Sequence, residues 1–283
     1  MARRAHQSKS NEEGARRRGP QGARHRHHES DLAALQSALA RAIEWDLLSA
    51  NPVKPLRRQR EDKRGVIRYL SNDEETRVRD ALRIRDTERR QRRGSANEWR
   101  QERSYALRDQ FGDYTDHLTP MVLLALNTGL RRGELFQLRW QDISLPTRTL
   151  TVQGGGAKSG QTRHVPLNTE AIAVLKGWKP ATATVDTLVF PGVSESEPLT
   201  DVKKGWASVL VRAGVPSFRF HDLRHTFASK LVMTGVDLNT VRELLGHSTP
   251  GMTLRYAHLA PEHKAAAVER LVAAPASGRQ AGR

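Results

Sequence analysis

The sequence predicts a mainly α-helical fold with one small antiparallel β-sheet. In most of the chain apolar residues recur at the three- and four-residue spacing of amphipathic helices, as in Asp31–Leu48. Between Thr149 and Val165 the spacing changes to alternation, with Leu150 and Val152 ahead of a glycine-rich loop and a second alternating run behind it. Helical spacing on both sides of one alternating segment indicates helices packed around a β-hairpin.

The N-terminal part of the chain is expected to hold one helix between two basic segments. Residues 1–30 are rich in arginine, glycine and histidine and almost free of apolar residues, which predicts a disordered basic tail. Residues 31–53 are predicted to contain an amphipathic helix that ends before Asn51-Pro52. Residues 54–65 are a basic linker, and a linker that crosses a phosphate backbone and a plain exposed loop explain it equally well.

Residues 66–275 are predicted to form the main domain, followed by a flexible tail at 276–283. Ser71 and the acidic residues after it give the cap and first turn of a helix, and the strongly charged Arg83–Asp109 predicts a solvated helical excursion. A buried helix is expected at Thr119–Asn127. The later elements are a helix at Arg131, the sheet, a short strand at Leu188–Pro191, and helices at Thr169–Trp178, Asp201–Ala213, His221–Thr234, Leu238–Leu245, Met252–Leu259 and Glu262–Val272.

The charge balance points to a polyanionic partner. The 283 residues carry a formal net charge of +16, with an isoelectric point of about 10.9. Nucleic acid is the most direct explanation, and a solvated ribosome-like or membrane-surface protein is the plainer one. Aromatic residues make up 5% of the chain, so stacking on single-stranded bases is not expected to dominate.

Composition also excludes several classes of protein and site. The chain has no cysteine, which rules out disulfides, thiolate zinc sites and a cysteine nucleophile. Met121–Leu126, the longest notable apolar run, is far too short to span a bilayer, and the N-terminus lacks an apolar signal core. We therefore expect a cytoplasmic protein with no membrane partner.

Six side chains have the chemistry that phosphoryl transfer requires. Two arginines offer planar forks of N–H donors to a phosphate, and a lysine offers a proton to a leaving oxygen. Two histidines donate hydrogen bonds or carry protons, and a tyrosine hydroxyl is a nucleophile able to form a covalent intermediate. The candidates are Arg131, Lys158, His221, Arg224, His247 and Tyr256.

Local spacing supports this set. His221 and Arg224 are three residues apart and share one face of a helix. Glu134 follows Arg131 by three residues, where its carboxylate is able to orient the arginine. No carboxylate pair or thiolate accompanies the set, so side-chain cations would take the electrostatic role of a metal, and neither a metal nor a cofactor is expected.

Taken singly, each candidate has a plainer explanation. An arginine such as Arg131 is usually a solvated surface charge, a lone tyrosine is usually packing, and His247 alone is more often a cap. Two lookalikes also fail. The glycine-rich loop before Lys158 lacks the glycine that a phosphate-binding loop needs directly before its lysine, because Ala157 stands there. The histidines near residue 27 lie in a basic low-complexity stretch, where a solvated tail explains them better than a metal site.

The candidates occur in order within five short strings, and together these resemble one family. The strings are Thr128–Leu135, Lys158 ahead of Thr162–Leu167, His221–Thr226, Leu244–Ser248 and Arg255–His258. They resemble the tyrosine recombinases of the phage-integrase family, over roughly Arg64 to Leu271. The resemblance implies the catalytic domain of that family, which has the fold of DNA breaking-rejoining enzymes.

The resemblance also implies a role for each residue. Tyr256 would attack a scissile phosphate and form a 3′-phosphotyrosyl bond, while Arg131 and Arg224 hold the non-bridging oxygens. Lys158 would protonate the leaving 5′-oxygen. His247 would stabilise the transition state, and His221 would support proton transfer at the tyrosine, with Glu134 in a supporting position. The residues expected to contact DNA are Lys54, Arg57, Arg58, Arg132 and Arg163.

Partners and organisation follow from the same resemblance. The expected partner is double-stranded DNA in a prokaryotic, nucleoid-associated setting, with a dimer on each site, a tetramer in the synapse and a monomer when free. Residues 31–53 would be the remnant of a truncated core-binding domain. Two alternatives stay open: a truncated DNA-binding remnant that does not recombine, and a DNA-relaxing enzyme of the type IB topoisomerase kind.

Overall fold

The structure, a computed structural model, describes residues 20–53, 67–154, 162–194 and 196–260, and the side chains from residue 31 onward. The chain divides into two units, Met1–Val66 and Ile67–Arg283. No helix in the described part of the chain is both long enough and apolar enough to cross a membrane.

The first unit contains one helix, α1 (Pro20–Glu44). The prediction of disorder through residue 30 is therefore wrong for residues 20–30, and residues 1–19 of that tail lie outside the described residues. A proline suits the first position of a helix, where its missing N–H has no partner to lose, and the alanine, glutamine and arginine residues after it are good helix formers. The helix ends at Glu44, earlier than the predicted Leu48, and Trp45 behind it is 66% exposed.

The second unit begins with the long helix α2 (Asn72–Glu102), which starts at the predicted cap, Ser71, and the structure shows that this cap is a capping box. The Ser71 Oγ accepts a hydrogen bond from the Glu74 backbone N–H (3.1 Å), and the Glu74 carboxylate accepts one from the Ser71 N–H (3.0 Å). The charged segment that was expected to be a solvated excursion is the second half of this helix and an irregular return segment that packs on it. Asn97 is buried and exchanges two hydrogen bonds with the Arg108 backbone (2.8 and 3.0 Å), so this half of the helix is not simply solvated.

A buried helix, α3 (Leu118–Thr128), forms the centre of the second unit, one residue longer at each end than predicted. Most of its residues are buried because it packs between α5 (Thr169–Trp178), which has the predicted bounds, and α7 (Asp222–Met233). The short helix α4 (Arg132–Gln137) follows it. A 3-10 turn at Trp140–Asp142 then leads into the sheet.

The sheet has the strand order β1-β2-β3 and is antiparallel throughout. Its strands are β1 (Ile143–Ser144), β2 (Thr149–Val152) and β3 (Arg163–Pro166), and Val152 pairs with Arg163 at the end of the hairpin. The predicted hairpin is confirmed, while the two-residue β1 is too short to leave a pattern in the sequence.

The predicted strand at Leu188–Pro191 is wrong. The segment makes only isolated bridges, Arg139 to Leu188 and Pro191 to Pro198. Proline has no N–H to continue a ladder, and the apolar residues of this segment are buried in the core without strand pairing.

The C-terminal half of the second unit is helical. It contains α6 (Lys203–Ala213), α7, α8 (Leu238–Leu245) and α9 (Gly251–Leu254). The predicted helix Met252–Leu259 is interrupted after Leu254, and a 3-10 turn follows at Ala257–Leu259. Tyr256 therefore lies between two helical segments. The predicted helix Glu262–Val272 lies outside the described residues.

Gly129 gives a direct test of how α3 ends. It caps the helix in the left-handed region at φ 64°, and a Cβ there would lie 2.4 Å from Phe227 Cδ1. We expect Gly129→Ala to lower the free energy of unfolding by about 2–4 kcal/mol, from backbone strain and overpacking together. Urea denaturation measures this change.

Gly94→Ala is the matched control for that substitution. Gly94 lies inside α2, and a Cβ there would meet nothing within 4 Å. The substitution should raise the free energy of unfolding by about 0.5–1 kcal/mol. Equal effects of the two alanines would contradict the described end of α3.

Candidate active site

Three arginines meet at the C-terminal end of α8. Arg163 Nε donates to the carbonyl oxygen of Leu244 (3.1 Å) and Arg224 Nη2 donates to that of Leu245 (2.5 Å). Arg131 Nη2 donates to the carbonyl oxygen of Gly246 (3.2 Å). Each of three consecutive carbonyls, those of Leu244, Leu245 and Gly246, therefore accepts a hydrogen bond from a different arginine. The last carbonyls of a helix have no partner in a following turn and carry a partial negative charge, so they suit cations.

Glu134 binds two of these arginines with one carboxylate. It accepts hydrogen bonds from the backbone N–H and Nη1 of Arg131 (2.8 and 2.7 Å) and from Nη1 and Nη2 of Arg163 (3.1 and 2.6 Å). Burial alone would raise the pKa of Glu134, but the hydrogen bonds and charges of Arg163 and Arg131 lower it below its usual value. The carboxylate is therefore ionised at neutral pH and fixes both guanidinium groups.

Arg163 does not lie where a DNA-contacting residue was expected. Its side chain is 8% exposed, and its donors are taken by Glu134 and Leu244. An arginine followed by a polar residue in a basic chain looks like a surface charge, which explains the error. Arg132, by contrast, is exposed, as a DNA contact requires.

Gly246 provides the space that Arg163 occupies. It caps α8 at φ 62°, and a Cβ there would lie 2.8 Å from Arg163 Cδ. The expectation that a helix ends at Gly246 is confirmed, and the close approach of the arginine adds a second reason for glycine at this position.

Arg224 is the most deeply buried of the candidate cations that the structure describes. It is 3% exposed, and its Nη1 donates to the Gly129 carbonyl oxygen (2.8 Å) in addition to the Leu245 contact. Burial, reinforced by the charge of Arg131, lowers the pKa of Arg224 to about 9, so the group remains a cation at neutral pH. Two cations held close together in a partly buried site favour an anion as their ligand.

The two predicted histidines flank this pair of arginines. His247 follows the α8 cap, and its Nδ1 lies 2.7 Å from the Thr253 Oγ1. Burial, then the charges of Arg224 and Arg131, lower the pKa of His247 to about 3, so its imidazole is neutral. His221 precedes α7 and is exposed, and burial of part of its ring and the charge of Arg224 lower its pKa as well.

Tyr256 is buried, at 1% exposure, and packs against Val241 and Leu245 of α8 and Ala228 and Val232 of α7. Burial raises the pKa of its hydroxyl to about 12, although the charges of nearby arginines oppose that shift. The phenol is therefore protonated at neutral pH.

The partner of the Tyr256 hydroxyl is a residue that sequence reasoning missed. The His225 Nδ1 lies 2.7 Å from the Tyr256 Oη. The available signal was the position of His225 directly after Arg224 and four residues after His221, which puts both histidines on one helix face. Their rings meet edge to face with centroids 5.2 Å apart.

Four of the predicted site residues lie outside the described residues. Lys158 lies in residues 155–161, and Lys54, Arg57 and Arg58 lie in residues 54–66, both outside the described residues. The chain enters and leaves the first of these segments next to the hairpin pair Val152 and Arg163. Gly154 and Thr162, the described residues on either side of this segment, are joined by a hydrogen bond from the Gly154 N–H to the Thr162 Oγ1 (3.1 Å).

Residues 106–263 match the sequence model of the phage integrase family, and this range covers all six candidate residues. The chain belongs to this family. Its similarity to the integrase of Salmonella phage P22 is 37% identity over 157 residues, 52% of this chain and 40% of the phage protein. It is also 33% identical over 198 residues to the tyrosine recombinase XerC-like protein of Caldanaerobacter subterraneus subsp. tengcongensis, which is 54% of this chain and 49% of that protein.

The chain thus spans about half the length of the curated relatives it matches. Among solved structures, the integrase of the Tn1549 transposon in complex with a circular intermediate DNA is similar in fold, with a TM-score of 0.57. The two are 20% identical, and the similarity covers 86% of this chain and 78% of that one. The predicted fold, a mainly helical phage-integrase catalytic domain with a small antiparallel sheet, is therefore confirmed.

The shared carboxylate predicts a large effect of removing Arg163. We expect Arg163→Met to lower the free energy of unfolding by about 3 kcal/mol, the low end for breaking a buried pair, because Arg131 stays bound to Glu134. Urea denaturation measures the loss, with Arg132→Met on the exposed neighbour of Arg131 as control. Equal, small effects of the two substitutions would show that the buried pair is not needed.

The same pair gives stability a pH dependence with a definite sign. The folded-state pKa of Glu134 is lowered, so its contribution to stability is complete above its unfolded value of about 4.3 and is lost as the pH falls through the lower folded value. The free energy of unfolding of Arg163→Met should therefore fall less between neutral and acid pH than that of the parent chain, as measured by urea denaturation at each pH.

Proposed function

We propose that this protein is a site-specific DNA recombinase that cleaves and rejoins duplex DNA through a tyrosine. The observation that supports this most is that one helix, α8, holds two arginines at its end and packs against a buried tyrosine. Arg131 and Arg224 are fixed by the carbonyls that end α8, and the same helix packs against Tyr256. An anion-binding pair beside a protonated nucleophile is the arrangement that phosphoryl transfer needs.

In the proposed reaction a DNA phosphate binds between the two arginines. Their guanidinium groups hold its non-bridging oxygens and offset the negative charge that grows in the transition state. The Tyr256 Oη attacks phosphorus, the bond to the 5′-oxygen breaks, and a 3′-phosphotyrosyl ester forms. Lys158 gives a proton to the departing 5′-oxygen, and the neutral His247 donates a hydrogen bond to the phosphate.

Rejoining is the reverse of the same step. A 5′-hydroxyl of the partner strand attacks the phosphotyrosyl ester, and tyrosine leaves. Each transfer exchanges one phosphate ester for another, so no nucleotide or metal cofactor is required for the energy of rejoining.

Duplex DNA is the proposed partner, contacted by Lys54, Arg57, Arg58 and Arg132. The net charge of +16 supports a polyanionic ligand. The names of similar proteins agree: one is a phage integrase, another a tyrosine recombinase, and the transposon integrase is described in complex with DNA. These names favour strand exchange over DNA relaxation or binding alone.

Strand exchange between two sites sets the proposed assembly. It requires a dimer on each site and a tetramer in the synapse, and free protein is proposed to be monomeric. We place this assembly on the DNA of a prokaryotic cytoplasm, as for a protein of a mobile genetic element. In the sequence of residues 262–272, apolar residues recur at helical spacing, and we propose that they contact a neighbouring protomer.

Removal of one oxygen atom tests the nucleophile. Tyr256→Phe should form no covalent adduct on a nicked suicide substrate, while its affinity for duplex DNA stays within roughly twofold of the parent chain, because no cation is lost. Denaturing gels measure the adduct, and filter binding measures affinity.

Tyr105→Phe is the control, since Tyr105 is 55% exposed and lies in the return segment after α2. It should form adduct at the parent rate. An adduct that persists in Tyr256→Phe would show that another residue is the nucleophile.

A further inference from the structure

We propose that His225 is the base that receives the proton of the Tyr256 hydroxyl when the tyrosine attacks DNA. The inference rests on the proposed function and adds to it a residue that the family resemblance did not supply. It assigns proton removal to His225 rather than to His221, which the resemblance implies.

The geometry of the pair favours this assignment. The Nδ1 of His225 and the Oη of Tyr256 are 2.7 Å apart, within the ordinary range for a hydrogen bond that involves a hydroxyl. A neutral imidazole with its proton on Nε2 has an acceptor at Nδ1, and the phenol is its donor. A general base must lie within this reach of the proton it removes.

Within the described part of the chain, His225 Nδ1 is the hydrogen-bond partner of the buried Tyr256 hydroxyl. Tyr256 is 1% exposed, and its ring packs in an apolar cluster formed by α7 and α8. His225 is half-buried beside it, whereas His221 is exposed and meets the ring of His225. The proton of a buried phenol therefore reaches a histidine before it reaches water, and the first histidine on that path is His225.

Burial and the surrounding charges keep the His225 ring neutral, which is the form that accepts a proton. Burial, followed by the charge of His221, lowers the pKa of His225 to about 4, so the ring is neutral at neutral pH. The charged and titratable groups around it belong to α7 and its entry, to the α8 cap and to the segment after α9: Arg219, His221, Asp222, His247, Arg255 and Tyr256. A phosphate anion bound between Arg131 and Arg224 favours the imidazolium, which raises the basicity of His225 when substrate is bound.

The step balances in both directions. As the bond from Oη to phosphorus forms, the O–H bond breaks and its proton moves to Nδ1, giving an imidazolium and a phosphotyrosyl ester. The 5′-oxygen departs with a separate proton from Lys158. In rejoining, the imidazolium returns its proton to the departing tyrosine oxygen, so the protein ends in its starting state.

The test compares single-turnover adduct formation by the parent chain, His225→Gln, His225→Ala and His221→Gln. Glutamine retains hydrogen bonding but does not accept a proton, so His225→Gln should react about 100-fold more slowly or worse. Added imidazole should restore a substantial part of the rate of His225→Ala, and more basic imidazoles should restore more. His221→Gln should lose less rate and gain nothing from imidazole.

A second substrate separates the two proton transfers. DNA with sulfur in place of the scissile 5′-oxygen has a leaving group that departs without a proton. It should rescue Lys158→Met and leave the defect of His225→Gln unchanged. Circular dichroism and the urea midpoint establish that each variant is folded.

Three outcomes would overturn the inference. One is a rate for His225→Gln within threefold of the parent chain, and another is rescue of His225→Gln by the sulfur substrate. The third is a larger loss, with imidazole rescue, for a variant of His221. Absence of adduct with the parent chain is a different result, because it removes the proposed function as well.

Discussion

The carbonyl groups at the C-terminal end of α8 hold the cations of the site in place. Arg131 and Arg224 are bound there, and so is Arg163, one guanidinium to each of three consecutive carbonyls. A helix end attracts cations without needing a formal negative charge. Arg224 is therefore positioned by neutral carbonyls alone, and Arg131 by a carbonyl together with the Glu134 carboxylate, so the pair keeps a net positive charge for the proposed phosphate.

Among the described residues, Glu134 supplies the formal counter-charge that contacts these arginines, and its carboxylate binds two of them. Because the carboxylate is shared by Arg131 and Arg163, the arginines around it keep an excess of positive charge. Preorganised charge of this kind is what accelerates transfer of an anionic group, since no reorganisation is needed during the reaction. The same helix α8 packs on Tyr256, so the proposed nucleophile and the proposed phosphate site share one support.

The sequence was sufficient to predict the parts of this arrangement that depend on local pattern. The helix cap at Ser71, the bounds of α5 and α8 and the hairpin all follow from spacing and turn chemistry. The burial of Arg163 and the contact of His225 with Tyr256 depend on residues 29 and 31 positions away, which no local pattern reveals. The interruption of the helix at Tyr256 was missed because the residues around it also fit a continuous helix.

One measurement tests the positioning of the cations by α8 most directly: the rate of adduct formation by Gly246→Ala compared with Gly251→Ala. A Cβ at Gly246 would lie 2.8 Å from Arg163 Cδ at a backbone φ of 62°, whereas a Cβ at Gly251 would meet nothing within 4 Å. Displacement of catalytic groups by about 1 Å costs roughly 100-fold in rate, so under the proposed function Gly246→Ala should react about that much more slowly while still binding DNA. Equal rates for the two folded variants would contradict the account.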